Sequence, residues 1–427
     1  MTRVLLLSTT TGYQLRAFDE AAARLGVDLL LATDRCDHLA DPWRDQAVPV
    51  RFHARDASVA AIVTAAATRP IGGVIAVGDR PVPLAAAAAR ALRIPWHSVE
   101  GAAASADKRH SRTALAVAGL PSPQFSIVPV NGSVGDSAFV APHLPRVGFP
   151  CVLKPAGLSG SRGVIRANDP EEFGAAFRRI RALLRRADVR VARTGLVEQI
   201  LVEEYIAGRE YAVEAVMTRG TLQPFAIFDK PDPLVGPFFE ETLYVTPSHL
   251  AAEAQQAVFA HVERAARALG LVHGPVHAEC RVVEDGTVFV LEVAGRPIGG
   301  LCSRVLRFAP GAASLEDVLL RHAIDHPIGA FARESRAAAV MMIPIPRRGV
   351  FKGVRGEEAA RGGAGVDDVR VTAKPDQLIE PLPEGSSYLG FIFAHGETAA
   401  AAERAVRTAH ACLAFEIDRE IVVSPLT

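Results

Sequence analysis

A chain of 427 residues is too long for one ordinary hydrophobic core, so two or three domains are expected. Its 47 basic and 47 acidic residues cancel, and no long basic run occurs, which argues against nucleic acid or an anionic membrane as partner. Five scattered cysteines without metal spacing fit a reducing compartment, and no apolar run reaches the ~20 residues of a membrane-spanning helix. The opening MTRVLLLSTT reads as a first strand rather than a cleaved leader, and a soluble cytoplasmic protein is the expectation.

Residues 3–105 alternate apolar strands (4–8, 28–32, 73–77) with helices (14–25, 58–67, 83–92), the rhythm of a parallel α/β sheet. The loop after the first strand has one glycine, Gly12, and no GxGxxG, so no dinucleotide site is expected there. Gly78-Asp79-Arg80 falls at the carboxyl end of a strand, where open sheets bind ligands, but reads as a cap for the next helix. Asp107 or Ser105 caps a helix running to about residue 118, with Lys108 in its first turn. A cation there opposes the positive helix end, which points to a phosphate partner.

After a polar segment, 129–148, comes a strand ending at Lys154 and then the loop Gly157-Leu158-Ser159-Gly160-Ser161-Arg162-Gly163. Its glycines and serines let backbone N–H groups wrap an anion, with Lys154 as a point charge; a plain glycine-rich turn accounts for the same letters. Helix 171–187 carries Arg178, Arg179, Arg181, Arg185 and Arg186, on a face read as solvated. Strands at 197–204 and 211–217 flank Glu203, Glu204 and Glu210, a bend whose carboxylates suit an adenine amino group and ribose hydroxyls, or a hairpin with surface acids. Residues 224–249, punctuated by prolines and containing Glu240-Glu241, read as a long binding loop, followed by helix 251–269. A helix at 314–324 precedes strands at 339–345, 369–373, 389–394 and 415–422 and a helix at 399–414, which together read as a compact C-terminal α+β unit.

The stretch 276–300, VHAECRVVEDGTVFVLEVAGRPIGG, organises the rest. With Asp285-Gly286 as a two-residue hairpin turn, counting outward sets Glu279 opposite Glu292, their Cβ atoms roughly 5 Å apart. Like charges so close call for a cation, and paired carboxylates suit Mg²⁺. His277 shares that face and Arg296 follows closely; a surface hairpin with solvated glutamates is the bland alternative.

Four pieces in this order resemble the ATP-grasp superfamily over essentially the whole chain: Asp107-Lys108, Lys154 with GLSGSRG, VEEYIAGREY, and the HAE…LEVAGRPIGG hairpin. The resemblance implies an ATP-grasp fold, α/β and α+β. Its parts would be an N-terminal parallel-sheet domain (1–105), a small lid subdomain (106–200), a large subdomain with the metal and substrate site (201–335) and a C-terminal α+β lobe (336–427). It also implies ATP and Mg²⁺ as cofactors, with Mn²⁺ able to stand in. Lys108 and Lys154 would contact phosphates, and Ser159, Gly160, Ser161 and Gly163 would close as the lid. Glu203, with Glu204, Tyr205 and Ile206 beside it, would hold adenine, Glu210 the ribose, and Glu279 and Glu292 the metals. Where many members carry Asn two residues after the second acid, this chain has Ala294. Arg296, Gly299 and Gly300 would stabilise charge as a carboxylate takes the γ-phosphate and an amine captures the acyl phosphate.

Within the superfamily, EVAGRPIGG, the 229–248 loop and the C-terminal lobe look most like bacterial L-amino acid ligases. By that likeness Glu241 would hold an amino group, with Tyr244 standing where relatives often carry His. The expected partners are a small-molecule carboxylate and an amine, with dimers common in such families. The competing expectations are a biotin-carboxylase-like or purine-pathway enzyme, or an ATP-binding module without catalysis.

Overall fold

The computed structural model describes residues 2–10, 14–35, 47–131, 147–191 and 195–420. The N-terminal strands form a four-stranded parallel sheet in the order Val48–Pro49, Asp28–Thr33, Arg3–Ser8, Gly73–Val77. A parallel sheet covered on both faces needs strands apolar throughout, and Val4 to Leu7 are all buried. Leu5 and Leu7 pack with Ile62 and the alanine-rich helix Val82–Leu92. Val4 and Leu6 pack with Phe18 and with Leu315, Val318 and Leu319 of the distant helix Leu315–Ala323. The second face of this domain is therefore closed by a later part of the chain.

A second, antiparallel four-stranded sheet has the order Phe125–Pro129, Gln199–Glu204, Cys151–Pro155, Ile165–Ala167. The helix Pro170–Leu184, capped by Asp169, lays Phe173, Phe177 and Ile180 on it. Most of the polar 129–148 segment, residues 132–146, lies outside the described residues.

The third sheet has eight antiparallel strands in the order Val288–Ala294, Gly274–Val282, Arg209–Thr218, Thr221–Asp229, Leu243–Thr246, Ala337–Ile343, Gly390–Gly396, Val366–Val371. The C-terminal α+β region, read from the sequence as a compact unit, shares this sheet. Leu243 to Thr246 pair with Met341 to Ala338, so the last three strands continue the sheet begun by the others. Among the described C-terminal residues, Gly349–Arg355, Leu378–Ile379 and Ala414–Asp418 form a small sheet of their own.

Two further expectations change. Residues 224–249 are not one loop, because 221–229 and 243–246 are strands. Pro224, which cannot donate to the ladder, sits beside a register shift between Pro224 and Ala226. The hairpin turn is also wider than two residues: Val282 pairs with Val288, the Gly286 N–H donates to Val283, and Gly286 takes φ +85°. A bulge between Glu279 and Cys280 then restores the count, and Glu279 does face Glu292.

Candidate active site

Between the second sheet and the eight-stranded sheet lies a cavity of about 270 Å³ that gathers every site residue expected from the sequence except Gly163. Gly163 lies just behind it with φ +74° and donates its N–H to the Pro383 carbonyl at 2.8 Å. A Cβ there would stand 2.6 Å from Pro155, so the position requires glycine on both counts.

At one end the cations dominate. Asp107 caps the helix Lys108–Val117, which aims Lys108 into the cavity. Its Nζ donates to the Leu158 carbonyl at 2.7 Å and lies 3.4 Å from Glu292 Oε2. Lys154, from the strand Cys151–Pro155, sits 2.7 Å from Glu203 Oε2, and the fully buried Arg112 lies 2.7 Å from Glu203 Oε1. Burial alone would raise the Glu203 carboxyl, but the charges of Arg112 and Lys154 outweigh it and hold it down at about 2. Both oxygens of Glu203, expected from the sequence to hold adenine, thus lie against cations. The Ile206 carbonyl is likewise engaged by Arg281 Nη1 at 2.6 Å, and the Tyr205 N–H by Pro150. The Tyr205 ring lies between the guanidinium groups of Arg166 and Arg281, 4.1 and 5.1 Å from its centroid. Glu204 remains at the cavity edge.

At the other end the carboxylates dominate. Glu210, Glu241 and Glu279 bring ligand oxygens within 4.8 Å of one another, a grouping able to hold a cation. Lys230 lies among them, its Nζ 2.8 Å from Glu210, 2.8 Å from Glu241 and 3.2 Å from Glu279. Glu210, expected from the sequence to hold the ribose, also binds Arg281 Nε at 2.9 Å. Burial and the neighbouring Glu279 push the Glu241 carboxyl up to about 7, against the pull of Lys230. The Tyr244 hydroxyl donates to Glu241 Oε2 at 2.7 Å, so this tyrosine orients the acid where an imidazole was expected by likeness. His277 places Nδ1 3.1 Å from the wholly buried Glu214 and Nε2 3.9 Å from Glu279. The ladder pairs it with Ala294, whose methyl offers a metal nothing.

Glu279 and Glu292 face each other on paired strands and supply hard oxygen donors, a set that fits Mg²⁺ or Mn²⁺. Glu279 is in addition shared with Lys230.

Arg296 lines the cavity as well. It clasps Asp79 through Nε (2.7 Å) and Nη2 (3.3 Å), across 217 positions of sequence. The Asp79 carboxyl is lowered by Arg296 and Lys108 despite burial. The reading of Asp79 as a helix cap is corrected: the N-terminal domain reaches the cavity through it. Gly299 and Gly300 line the same region, and a Cβ on Gly300 would meet the Phe391 ring at 3.1 Å. Sequence reasoning took Asp79 for a cap and passed over Arg112, Lys230, Glu214 and Arg281. The available signal was a lone lysine among the acids of 229–241 and buried-type strands carrying isolated charges.

Comparison with known proteins gives a consistent picture. The family model of the ATP-grasp domain matches residues 147–305, that of the ATP-grasp N-terminal domain 19–96, and that of L-amino acid ligase C-terminal domain 2 341–418. The chain is similar in structure to an L-amino acid ligase from Bacillus licheniformis, with a TM-score of 0.81 over 98% of this chain and 99% of that one at 24% identity. In sequence it is 30% identical over 230 residues to alanine–anticapsin ligase of Bacillus subtilis (strain 168), covering 51% of this chain and 46% of that protein. It is also 30% identical over 210 residues to D-alanine–D-alanine ligase of Aromatoleum aromaticum, covering 48% of this chain and 62% of that protein. The sequence matches thus span 46% and 62% of the lengths of the latter two ligases, and the structural likeness establishes the mixed α/β fold.

Proposed function

We propose that this chain, an ATP-grasp protein by its fold and matched domains, is an ATP-dependent carboxylate–amine ligase that joins amino acids. One observation carries the reading above the others: a single cavity is cationic at one end and anionic at the other, with Arg296 in its wall. Phosphates suit the first end; a metal and an ammonium group suit the second.

In this reading the substrate carboxylate attacks the γ-phosphate, giving an acyl phosphate and ADP. An amine then attacks the acyl carbon, and the tetrahedral intermediate expels phosphate. Little covalent chemistry falls to the protein, so positioning and electrostatic stabilisation carry the rate. Lys108 and Lys154 hold phosphoryl oxygens, while Ser159, Gly160, Ser161 and Gly163 cover them. Glu204, the Tyr205 carbonyl and the Ile206 N–H hold the adenosine. Glu279 and Glu292 would hold Mg²⁺, which supplies charge neutralisation of the phosphates. Glu241, oriented by Tyr244 and Lys230, receives the ammonium of the first amino acid; His277 steadies Glu279 from behind. Arg296, aimed by Asp79, presents its guanidinium to the oxygens that gain charge, and Gly299 and Gly300 allow backbone N–H groups to approach them. We further propose a cytoplasmic setting, where ATP is found; Cys151, Cys280, Cys302 and Cys412 are free thiols. No helix among the described residues is long and apolar enough to cross a membrane.

The test is phosphate release from Mg·ATP with each L-amino acid alone and in pairs, with mass spectrometry of the product. Release that depends on particular amino acids is expected, and Glu292→Gln should lower it by at least about 100-fold, the scale for losing a key electrostatic group. Release with bicarbonate alone would replace the reading with a carboxylase type. Unchanged turnover in the Gln variant would overturn the metal assignment.

A further inference from the structure

We propose that residues 380–388 form a strap that makes closure of the glycine loop and completion of the amino-acid pocket a single movement. The inference rests on the ligase reading above and goes beyond it, because it assigns substrate contacts and water exclusion to a segment outside the nucleotide site.

The strap, EPLPEGSSY, runs between the strands Leu378–Ile379 and Gly390–Gly396. Its first half is fastened to the second sheet's loop and helix. The Gly163 N–H donates to the Pro383 carbonyl at 2.8 Å, and Arg162 Nε donates to the Glu384 carbonyl at 2.9 Å. Arg179 grips the Glu384 carboxylate with two nitrogens, one at 2.8 Å, and Arg186 Nη1 lies 2.6 Å from Glu380. Two of the five arginines expected to be solvated are therefore latch residues.

Gly385 turns the strap back on itself. Its N–H donates to Pro381 at 2.9 Å, and a Cβ there would stand 1.9 Å from the Glu380 carbonyl oxygen. The second half, Ser386, Ser387 and Tyr388, then enters the cavity wall beside Glu241, Gly300 and Phe391. The Tyr388 and Phe391 rings sit 6.4 Å apart.

One continuous turn thus touches the glycine loop at one end and the carboxylate end of the cavity at the other. Arg179 is 45% exposed at its side chain and Glu384 23%, and such pairs add little to global stability. Gly163 and Arg162 of the loop and Arg179 and Arg186 of the adjoining helix all meet the strap, so the effect of these contacts falls on how loop and helix move relative to it. An open strap leaves the acyl phosphate exposed to water. Attack by water instead of the amine returns the free carboxylate and phosphate, with ATP spent and no amide bond formed. Ser386, Ser387 and Tyr388 are accordingly assigned as specificity-determining wall residues, and Glu380 and Glu384 as positioning residues.

The experiment compares the wild type with Glu384→Arg, Arg179→Glu and the double exchange carrying both. Two readouts are taken: phosphate released per amide bond formed, and amide hydrogen exchange in peptides covering 157–165. Each single variant is expected to raise both by about two- to fivefold, the scale of an exposed ion pair acting on an equilibrium, and the double exchange to restore both. Unchanged exchange in both single variants would overturn the latch. Faster exchange with an unchanged phosphate-to-amide ratio would overturn its coupling to the pocket. A wild type that forms no amide bond with any substrate would instead fail the ligase reading, while the exchange data still decide the latch.

Discussion

At one end of the cavity a single carboxylate, Glu203, faces two cations, Arg112 and Lys154; at the other, Lys230 and Arg281 face three carboxylates, Glu210, Glu241 and Glu279. Both clusters are largely buried, where unbalanced charge is costly. With every carboxylate ionised, the first carries a surplus of one positive charge and the second a surplus of one negative charge. Each cluster is therefore nearly neutral by itself and incomplete in a particular direction, the first toward an anion and the second toward a cation. A cavity built for one small neutral ligand has no use for that polarity; one that holds a phosphate chain, a metal and an ammonium group in a row does.

The comparison breaks most decisively at Lys230. Lys230→Met leaves three adjacent carboxylates with Arg281 on Glu210 and His277 3.9 Å from Glu279, and should cost on the order of 3–5 kcal/mol of stability. Millimolar Mg²⁺ or Mn²⁺ should recover part of the lost Tm in this variant and have a smaller effect on the wild type; calorimetry with and without the ion measures it. A variant as stable as the wild type would mean that the acids are not held together by this lysine.

The reciprocal change, Glu203→Ala, strands Arg112 and Lys154 and should be compensated by ATP rather than by a divalent ion. Its pH signature is separate. The folded Glu203 carboxyl is lowered to about 2, so its contribution is fully present above the unfolded value near ~4.3 and is lost as pH falls toward 2. The full contribution is on the order of 3 kcal/mol. Acid titration of Tm should therefore show a shallower fall below pH ~4.3 in Glu203→Gln than in the wild type; parallel curves would remove Glu203 from the account.

The smallest effect is expected at Tyr244. Tyr244→Phe removes one hydrogen bond to Glu241, worth about 1 kcal/mol. It should raise KM for the first amino acid several-fold and leave KM for ATP unchanged. Equal changes in both would show that the tyrosine supports the cavity as a whole.

Local sequence carried much of this site, and distance accounts for what it missed. The helix cap at Asp107, the glycine loop and the paired acids are patterns within a few residues. Even so, Glu279 met Glu292 through two departures that offset each other: a wider turn at 284–286 and a bulge at Glu279–Cys280. Neither leaves a mark in a two-residue alternation. Glu203 looked like a free acid because its partners, Arg112 and Lys154, lie on other elements. Asp79 looked like a cap because Arg296 lies 217 positions away. Pairing of Leu243–Thr246 with Ala337–Ile343 is a long-range choice of the same kind, invisible in either strand alone.

That last pairing bears on how such a chain could be recombined with its relatives. A chimera joined near residue 335, where the sequence invites a boundary, would place the two sides of a hydrogen-bonded ladder on different parents. It would also split the pocket wall, since Tyr244 comes from one side of the junction and Met342, Tyr388 and Phe391 from the other. Substrate range in this architecture is thus inherited as a whole sheet, and exchanging the C-terminal lobe as a cassette would require matching the strand at its border.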